Sequence, residues 1–512
     1  MGNACTCFES GHWDSHREIT QPYVPAKTQL YHDMTQPLPH YFVSSGHNSY
    51  LTGNQLTSAS GTATIVKCLQ DACRVIELDV YNGPSCKHGG TLTAPVAFRA
   101  CIEAIRDNAF TASPYPVIIT MENHADTENQ GKMADILKET LGAALFVPDP
   151  NDPMSAYKSP EDLKGKIICR TSIKKNAHEE FKKLIYICNS KFSTYADMLK
   201  KDKVASSSFA ESVLPKVEEL GQDDEDEEKE TARERAKIEK QAAKSRKRML
   251  AVDEEPDDAV AAGTMTNGSM QELYAYTTKH MMRVYPAGWR VDSGNYNPMA
   301  AWVRGASLAA LNWQVWDKPL WINSGRFMDN GHCGYVLKPK WMLEPKSELP
   351  GRLGSKLRVR VHSAHMYQGR NFCVFRDDLF VRLEIVGMPV DRELAHTNTV
   401  MNSGRLVVDK DFDFVVRFPE MAVLLVQLMD EDAGGASTNH ADADVLGYYA
   451  LPLSTLAEGD FCLTMHSPTT GRPMIKHRHG AWVKVSFKWL SHGDTAAEGA
   501  NPMYAGPAAG AK

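Results

Sequence analysis

The sequence predicts an α/β barrel of parallel strands that is followed by an antiparallel β-sandwich. Short apolar runs alternate with stretches of helical spacing from residue 37 to 170, a pattern typical of parallel βα units. Polar and acidic residues stand where three of these runs end, and a barrel of parallel strands carries its chemistry at that end. From residue 356 onwards the apolar runs are short and separated by turn-rich segments, which indicates an antiparallel sandwich.

Length, charge and cysteine content exclude several classes of protein. A chain of 512 residues is too long for one core, so two to four domains are expected. A net charge of −6 argues against a general attraction to nucleic acid. Eleven cysteines form no paired framework and no CxxC metal pattern, which favours reduced thiols in the cytosol. The sequence shows no secretory signal and no apolar stretch of the roughly 20 residues that a membrane span requires.

Histidines and oxygen ligands cluster at the ends of the predicted strands. Strands are predicted at 41–45, 74–80, 117–121 and 166–170, with helices at 95–110 and 132–141. His47 and Asn48 follow the first strand, Glu77 and Asp79 lie near the end of the second, and Glu122 follows the third. His88 lies a short loop beyond Asp79. We expect these side chains to form one active site at the mouth of the barrel.

Two segments have compositions that cannot form a packed core. Residues 223–228 and 253–258 are almost wholly acidic, and the basic stretch 233–248 lies between them. Such blocks bury too little apolar surface to offset the entropy of ordering, so a disordered insertion is predicted over 222–268. The tail 491–512, rich in Gly, Ala and Pro, is also expected to be disordered. The insertion either obstructs the site or serves as a solvated tether.

The first residues fit a signal for acylation. Gly2, with Thr6 in the hydroxyl position, matches the pattern for N-myristoylation, and Cys5 and Cys7 are candidates for palmitoylation. One acyl chain gives reversible membrane binding and a second makes the anchor stable. The alternative is a chance match in a frayed terminus. The prediction is attachment to the cytoplasmic face of the plasma membrane or another membrane, with some protein in the cytoplasm.

These motifs resemble a known family. The segments 44–51, 74–79, 115–124 and 163–167 are similar to the X half of eukaryotic phosphoinositide-specific phospholipase C. The segments 283–298 and 329–339 resemble its Y half, and 355–490 resembles the C2 domain that follows. The compact layout with an acylatable start resembles the enzymes of trypanosomatid parasites.

The resemblance implies a distorted (β/α)8 TIM-type barrel, split into X and Y halves, and then an antiparallel C2 sandwich. The expected parts, in chain order, are a lead-in (1–36), the X half with the start of the second half (37–221), the insertion (222–268), the Y half (269–345), the C2 domain (355–490) and the tail (491–512). The Ser-Phe-Ala-Glu segment ending at Glu211 precedes the insertion, so the X/Y split lies later than in the family.

The resemblance also implies an activity. The family cleaves phosphoinositides to diacylglycerol and inositol phosphates through a cyclic phosphate, in a signalling role, and depends on Ca²⁺. The Ca²⁺ ligands implied for this chain are Asn48, Glu77, Asp79 and Glu122, all hard oxygen donors. His47 is expected to stabilise the phosphate in the transition state. His88 is expected to protonate the glycerol oxygen, and Glu77 to accept the proton of the 2-hydroxyl.

The residues that would contact the headgroup depart from the family pattern. The resemblance implies substrate contacts at Arg170, Ser208, Arg283 and Tyr285. The family carries Lys-Gly-Lys where this chain has Arg170, Thr171 and Ser172, so one of two positive charges is missing. We therefore expect the 5-phosphate to matter less, unless Lys174 or Lys175 compensates.

The sandwich carries acidic loops like those that bind Ca²⁺ in C2 domains. By resemblance the candidate ligands are Asp378, Asp430, Asp432 and Asp444. Carboxylates held close together need a cation to offset their repulsion. The alternative is a purely structural sandwich.

Two other functions remain as alternatives. A glycerophosphodiester phosphodiesterase on a related barrel would lack the Y-half motif and the C2 region. A catalytically silent lipid-binding scaffold would not need His47, His88 and all four metal ligands. The expected partners are phosphoinositide lipids and a membrane surface, without nucleic acid. A monomer is the default expectation, and the sequence indicates no particular protein regulator.

Overall fold

The computed structural model describes residues 19–91, 93–214, 269–345, 353–366, 377–401, 403–431, 443–475 and 480–490. Gly2, Cys5, Cys7, Asp432, the predicted insertion and the predicted tail lie outside these residues. Among the described helices, none has both the length and the apolar character needed to cross a bilayer.

Eight parallel strands close into a barrel, which confirms the predicted fold. The first eleven strands in the described chain are β1 (Tyr41–Gly46), β2 (Val75–Tyr81), β3 (Ser85–Cys86), β4 (Val96–Ala97), β5 (Val117–Asn123), β6 (Ile167–Thr171), β7 (Ile185–Asn189), β8 (Ala205–Ala210), β9 (Met281–Tyr285), β10 (Leu308–Leu311) and β11 (Tyr335–Leu337). The ring runs β1-β2-β5-β6-β7-β8-β9-β10 and closes back on β1. Ser45 pairs with Val75 at the closure, and the antiparallel β11 pairs with the start of β1.

Helices pack around the ring and begin where the local sequence caps them. They are α1 (Ala63–Gln70), α2 (Phe98–Asn108), α3 (Thr127–Leu141), α4 (Glu179–Lys182), α5 (Tyr195–Leu199), α6 (Met270–Lys279), α7 (Met299–Trp302), α8 (Lys318–Phe327) and α9 (Lys340–Leu343). Helix α3 begins five residues before the predicted 132, because the Asp126 side chain accepts the amide proton of Asn129 as an N-cap. Helix α6 begins with a capping box between Ser269 and Glu272.

The second domain is a sandwich of two four-stranded antiparallel sheets, as predicted. Its described strands are β12 (Ser355–His365), β13 (Leu379–Val386), β14 (Glu393–His396), β15 (Arg405–Val416), β16 (Val423–Asp430), β17 (Asp444–Pro452), β18 (Gly459–Thr464) and β19 (Trp482–Leu490). Alternation along β12 buries Leu357, Val359 and Val361 completely. The intervening Arg358 and Arg360 face outwards and pair with aspartates of β15.

The sandwich packs directly on the barrel through α8. The Trp321 ring stacks on Tyr448 with centroids 4.5 Å apart. Gly325 allows close approach, because a Cβ there would lie 2.7 Å from Ala450 and 2.8 Å from Val423. Strand β16 is consequently buried on both faces, which explains why its sequence is mostly apolar and does not alternate.

The segment 19–36 runs along both domains. Its Tyr23 ring lies among aromatic rings of the sandwich, 5.1 Å from Phe461 and 6.1 Å from Tyr449 between centroids. Further along, the Tyr31 hydroxyl donates to Asp329 Oδ1 of the barrel at 2.5 Å. This segment therefore links the sandwich to the barrel as an extended strap.

Candidate active site

Three carboxylates meet at the carboxyl-terminal mouth of the barrel. Glu77 and Asp79 lie two residues apart on β2, so their side chains leave the same face of the strand. The parallel register with β5 places Asp79 beside Glu122. An oxygen from each of the three lies within 4.8 Å of the other two. Glu77 and Asp79 are buried, whereas Glu122 is exposed.

Asn48 lies against this cluster in a left-handed conformation, with a φ of 44°. Its backbone amide donates to Glu77 Oε2 at 3.2 Å. Its side-chain Nδ2 donates to Gln55 Oε1 at 2.9 Å. The amide nitrogen is thus engaged, and Oδ1 is the atom of Asn48 able to serve as a ligand.

Neighbouring donors fix the orientation of each carboxylate. The Tyr50 hydroxyl donates to Asp79 Oδ2 at 2.7 Å, and His124 Nε2 lies 3.1 Å from Glu122 Oε1. Arg283 Nη2 donates to Glu77 Oε1. Burial, followed by the Asp79 charge, raises the pKa of Tyr50 well above its ordinary value, so the phenol stays a donor.

The donor set fits a hard divalent cation. Three carboxylates and an amide oxygen are ligands that Ca²⁺ accepts. Carboxylates this close together, two of them buried, repel one another unless positive charge offsets them, and Arg283 supplies one such charge. The cluster therefore has the oxygen ligands and the excess of negative charge that are typical of a cation site.

Two histidines lie in the same mouth. His47 Nδ1 lies 2.9 Å from Asn312 Oδ1, and because an amide oxygen only accepts, the imidazole is the donor. His47 Nε2 points towards Glu77 and lies 3.9 Å from its Oε2. Burial lowers the pKa of His47, and the Glu77 charge opposes this shift. Burial, with the neighbouring positive charge of His47, also lowers the pKa of His88. Burial thus disfavours the protonated form of both imidazoles.

Arg170 and Ser208 meet in a hydrogen-bonded cluster beside the carboxylates. Arg170 is buried on β6 and donates from Nη2 to Ser208 Oγ at 2.7 Å and to Asn189 Oδ1 at 2.9 Å. Its Nε donates to Ser206 Oγ at 2.9 Å. Burial, and then the positive charge of Arg283, lower the pKa of Arg170 to about 9, so it stays charged at neutral pH. The site therefore holds a buried guanidinium with its donors already oriented.

The other predicted headgroup residues border this cluster. The Arg283 guanidinium lies over the Tyr285 ring, 5.0 Å from its centroid. The Tyr285 ring is parallel to that of His47 at 6.3 Å. Ser172 accepts a hydrogen bond from Asn189 Nδ2 at 3.3 Å, whereas Lys174 and Lys175 are exposed.

Sequence reasoning missed the neutral residues that hold this site together. Asn312 directly follows β10, so a polar residue at a strand end could have indicated it, as it did Glu122. Gln55 lies in a loop without a spacing signal. Asn189 is the last residue of β7. A charged residue, Glu211, identified from the sequence only as the end of a motif, accepts hydrogen bonds from Arg290 Nε at 2.6 Å and from the Ala287 amide at 2.8 Å.

The acidic residues of the sandwich gather at one end. Asp430 is the register partner of Asp444 across β16 and β17. The Asp378 amide donates to Asp430 Oδ1 at 2.7 Å, and the Glu431 amide donates to the Asp378 carbonyl at 2.9 Å. The structure brings three of the four predicted aspartates together, and the fourth, Asp432, lies outside the described residues.

Family models match both halves of the barrel. The model for the X domain of phosphatidylinositol-specific phospholipase C matches residues 34–173. The model for the Y domain of the same family matches residues 227–341, and so begins within the predicted insertion.

Curated relatives match over most of the chain. Phosphoinositide phospholipase C 6 of Arabidopsis thaliana is 30% identical over 85% of this chain and 75% of its own length. Phosphoinositide phospholipase C 3 of the same plant is 33% identical over 88% of this chain and 80% of its own length. The 1-phosphatidylinositol 4,5-bisphosphate phosphodiesterase delta-3 of Mus musculus is 33% identical over 85% of this chain and 55% of its own length.

A solved structure has the same architecture. The crystal structure of S. officinalis PLC21 superposes with a TM-score of 0.70 at 25% identity, over 91% of this chain and 57% of that chain. The predicted likeness to trypanosomatid enzymes stays a prediction. The relatives and the barrel with its gathered carboxylates and histidines place this chain in the phosphatidylinositol-specific phospholipase C family, and it is an enzyme, a hydrolase of phosphoinositides.

Proposed function

We propose that this chain is a Ca²⁺-dependent phosphoinositide phospholipase C that releases diacylglycerol and inositol phosphates through a cyclic phosphate intermediate. One observation carries the proposal: Glu77, Asp79 and Glu122 converge within 4.8 Å in the mouth that also holds His47. Ca²⁺ bound by these carboxylates and Asn48 would offset the phosphate charge and lower the pKa of the inositol 2-hydroxyl.

The side chains divide the proton transfers among them. Glu77 takes the 2-hydroxyl proton as that oxygen bonds to phosphorus, and the bond from phosphorus to the glycerol oxygen breaks. His88 gives its proton to the departing glycerol oxygen. His47 donates to the phosphate oxygen on which charge builds, and Glu77 beside its Nε2 favours the protonated imidazole.

The second step returns both protons. His88, now neutral, takes a proton from water as the water oxygen bonds to phosphorus. The ring bond to the 2-oxygen breaks, and that oxygen recovers its proton from Glu77. His88 and Glu77 thus end the cycle in their starting states, which requires one residue to act first as acid and then as base.

The headgroup cluster supports activity on less phosphorylated lipids. Arg170 is its buried cation, and Ser172 with Asn189 offers neutral groups where the family has a second lysine. We infer that phosphatidylinositol and its monophosphate compete with the bisphosphate as substrates. A strong bisphosphate preference that survives Lys174→Ala with Lys175→Ala would contradict this inference.

Membrane attachment is proposed from the sequence and the acidic end of the sandwich. Acylation at Gly2, Cys5 and Cys7 would anchor the chain to the cytoplasmic face of a membrane, where its substrate lies. Ca²⁺ bound near Asp378 and Asp430 would add a second contact to anionic lipid. Release of a lipid product and a soluble phosphate at that surface suits a signalling role.

A lipid hydrolysis assay across free Ca²⁺ concentration tests the activity. Release of inositol phosphate from phosphatidylinositol vesicles, abolished by chelation and by His47→Ala, is the expected result. No release at any Ca²⁺ concentration would favour a silent scaffold. Hydrolysis of glycerophosphoinositol in preference to the intact lipid would favour a glycerophosphodiester phosphodiesterase.

A further inference from the structure

Gln55 lies at the centre of the site although it carries no charge and no reactive group. It belongs to the loop between β1 and α1, and only 7% of its surface is exposed. Its backbone amide donates to the Val291 carbonyl at 3.0 Å, so the loop is fastened to the Y half of the barrel. The main-chain position from which the Gln55 side chain extends is therefore fixed.

The oxygen of this side chain orients Asn48. Gln55 Oε1 accepts from Asn48 Nδ2 at 2.9 Å. With its nitrogen held there, Asn48 must direct Oδ1 elsewhere, and its backbone amide already lies against Glu77 Oε2. Residues behind metal ligands commonly set ligand orientation in this way.

The nitrogen of the same side chain leads to His47. Gln55 Nε2 donates to Ser293 Oγ at 2.8 Å and to Asn312 Oδ1 at 3.2 Å. That Asn312 oxygen also accepts from His47 Nδ1 at 2.9 Å. Asn312 Oδ1 thus accepts hydrogen bonds from both Gln55 and His47, so its position depends on both side chains.

Gln55 therefore contacts Asn48 directly and reaches His47 through Asn312.

We propose that Gln55 is a positioning residue that aligns the Asn48 ligand oxygen with the His47 imidazole. The role rests on the proposed phospholipase activity, because it assigns no chemistry to Gln55 itself. The opposing interpretation is that Gln55 only fastens its loop to the Y half.

Two substitutions test the contacts of the Gln55 side-chain oxygen and nitrogen separately. Gln55→Met is neutral and of similar volume but removes both links. Gln55→Glu keeps an oxygen that accepts from Asn48 and removes the donor to Asn312. Gln427→Met is the matched control, because Gln427 is a buried glutamine of the sandwich that donates to Glu384 Oε2 at 3.1 Å.

Ca²⁺ affinity is measured on the full chain by titration calorimetry without lipid. Binding to the barrel site is identified as the part of the heat signal that is lost in Glu77→Gln. Phosphatidylinositol turnover and thermal melting are measured in parallel. We expect Gln55→Met to weaken Ca²⁺ binding and to lower kcat, each by about tenfold or more. We expect Gln55→Glu to bind Ca²⁺ no more weakly than the natural chain yet to lose kcat, and Gln427→Met to change neither.

The outcomes distinguish the two proposals. Unchanged Ca²⁺ affinity and kcat in Gln55→Met overturn the role of Gln55 while the activity stands. A loss of activity that only follows the unfolded fraction, as in a destabilised Gln427→Met, also overturns it. A natural chain that releases no inositol phosphate overturns the proposed function, and the role of Gln55 falls with it.

Discussion

Arg283 donates from Nη2 to Glu77 Oε1, so a side chain expected to hold a phosphate contacts a side chain expected to hold a cation. Both groups are buried, with 7% and 3% of their side-chain surfaces exposed. A buried ion pair of this kind is costly to break by removing one partner. We therefore expect binding of Ca²⁺ and binding of the headgroup phosphate to be linked, because both would involve the same ion pair.

Removing the arginine is expected to separate these two roles. In Arg283→Met the positive charge that competes with Ca²⁺ for Glu77 is lost. Ca²⁺ affinity should therefore rise by about tenfold, the size of effect that a neighbouring charge has on a carboxylate. The KM for phosphatidylinositol 4-phosphate should rise at the same time. Calorimetry and initial rates measure the two quantities, and Arg283→Lys, which keeps the charge, should leave Ca²⁺ affinity near its natural value. A Met variant with weaker Ca²⁺ binding would contradict the linkage.

A second cation in the headgroup cluster is expected to change substrate preference. Ser172 is exposed and accepts from Asn189 Nδ2 at 3.3 Å, close to the buried Arg170. Ser172→Lys should raise kcat/KM for phosphatidylinositol 4,5-bisphosphate relative to phosphatidylinositol by about tenfold, the size typical of a charge-assisted hydrogen bond. Competition assays with mixed vesicles measure the ratio. Ser172→Gln is the control for side-chain length, and an equal gain in that variant would rule out a charge effect.

Asn189 is expected to hold the Arg170 and Ser208 side chains in position relative to each other. Its Oδ1 accepts from Arg170 Nη2 at 2.9 Å and lies 3.3 Å from Ser208 Oγ. Asn189→Ala should raise the KM for phosphatidylinositol 4-phosphate several-fold more than the KM for phosphatidylinositol, since only the former needs an oriented guanidinium. Steady-state kinetics on both lipids measure this, and equal changes in the two KM values would argue for a general loss of structure.

The acidic part of the site could be predicted from the sequence because its carboxylates lie at or near the ends of apolar runs. Glu77, Asp79 and Glu122 follow this rule, and the parallel register then brings them together. Asn312 follows it too, but an amide among apolar residues is a weaker signal than a carboxylate. Gln55 could not be predicted, because its role comes from a loop whose path only the closed barrel determines.

The helix and strand boundaries show the same division between local and tertiary information. The alternation in β12 predicts its buried face, since one side of that strand meets the sandwich core. Strand β16 shows no alternation because α8 covers its outer face, a contact that no local pattern encodes. Helix α3 begins at its Asp126 cap rather than at 132, and the cap was present in the sequence.

Folding stability is expected to fall in mild acid because of His40. Its Nδ1 is buried and has no hydrogen-bond partner among the residues that the structure describes, and burial, followed by the Lys338 charge, lowers the pKa of His40 to about 4. The unfolded chain therefore binds a proton more readily between about pH 6.5 and 4, so this contribution is present above pH 6.5 and is lost as the pH falls towards 4. Thermal melts from pH 7.5 to 4.5 should show a smaller decline in His40→Gln than in the natural chain. Equal declines would assign the acid sensitivity to other groups.

Tyr23 is expected to secure the strap to the sandwich. Its ring packs edge-on against Phe461 and Tyr449, and its hydroxyl accepts from the Ala457 amide at 3.2 Å. Truncating an aromatic side chain in such a core costs about 3 kcal/mol, so Tyr23→Ala should lower the free energy of unfolding of the sandwich by that amount. The next residue, Val24, has half of its surface exposed, and Val24→Ala should change stability little. Urea unfolding of both variants measures the difference, and a Tyr23→Ala chain as stable as Val24→Ala would show that the strap rests on the sandwich without stabilising it.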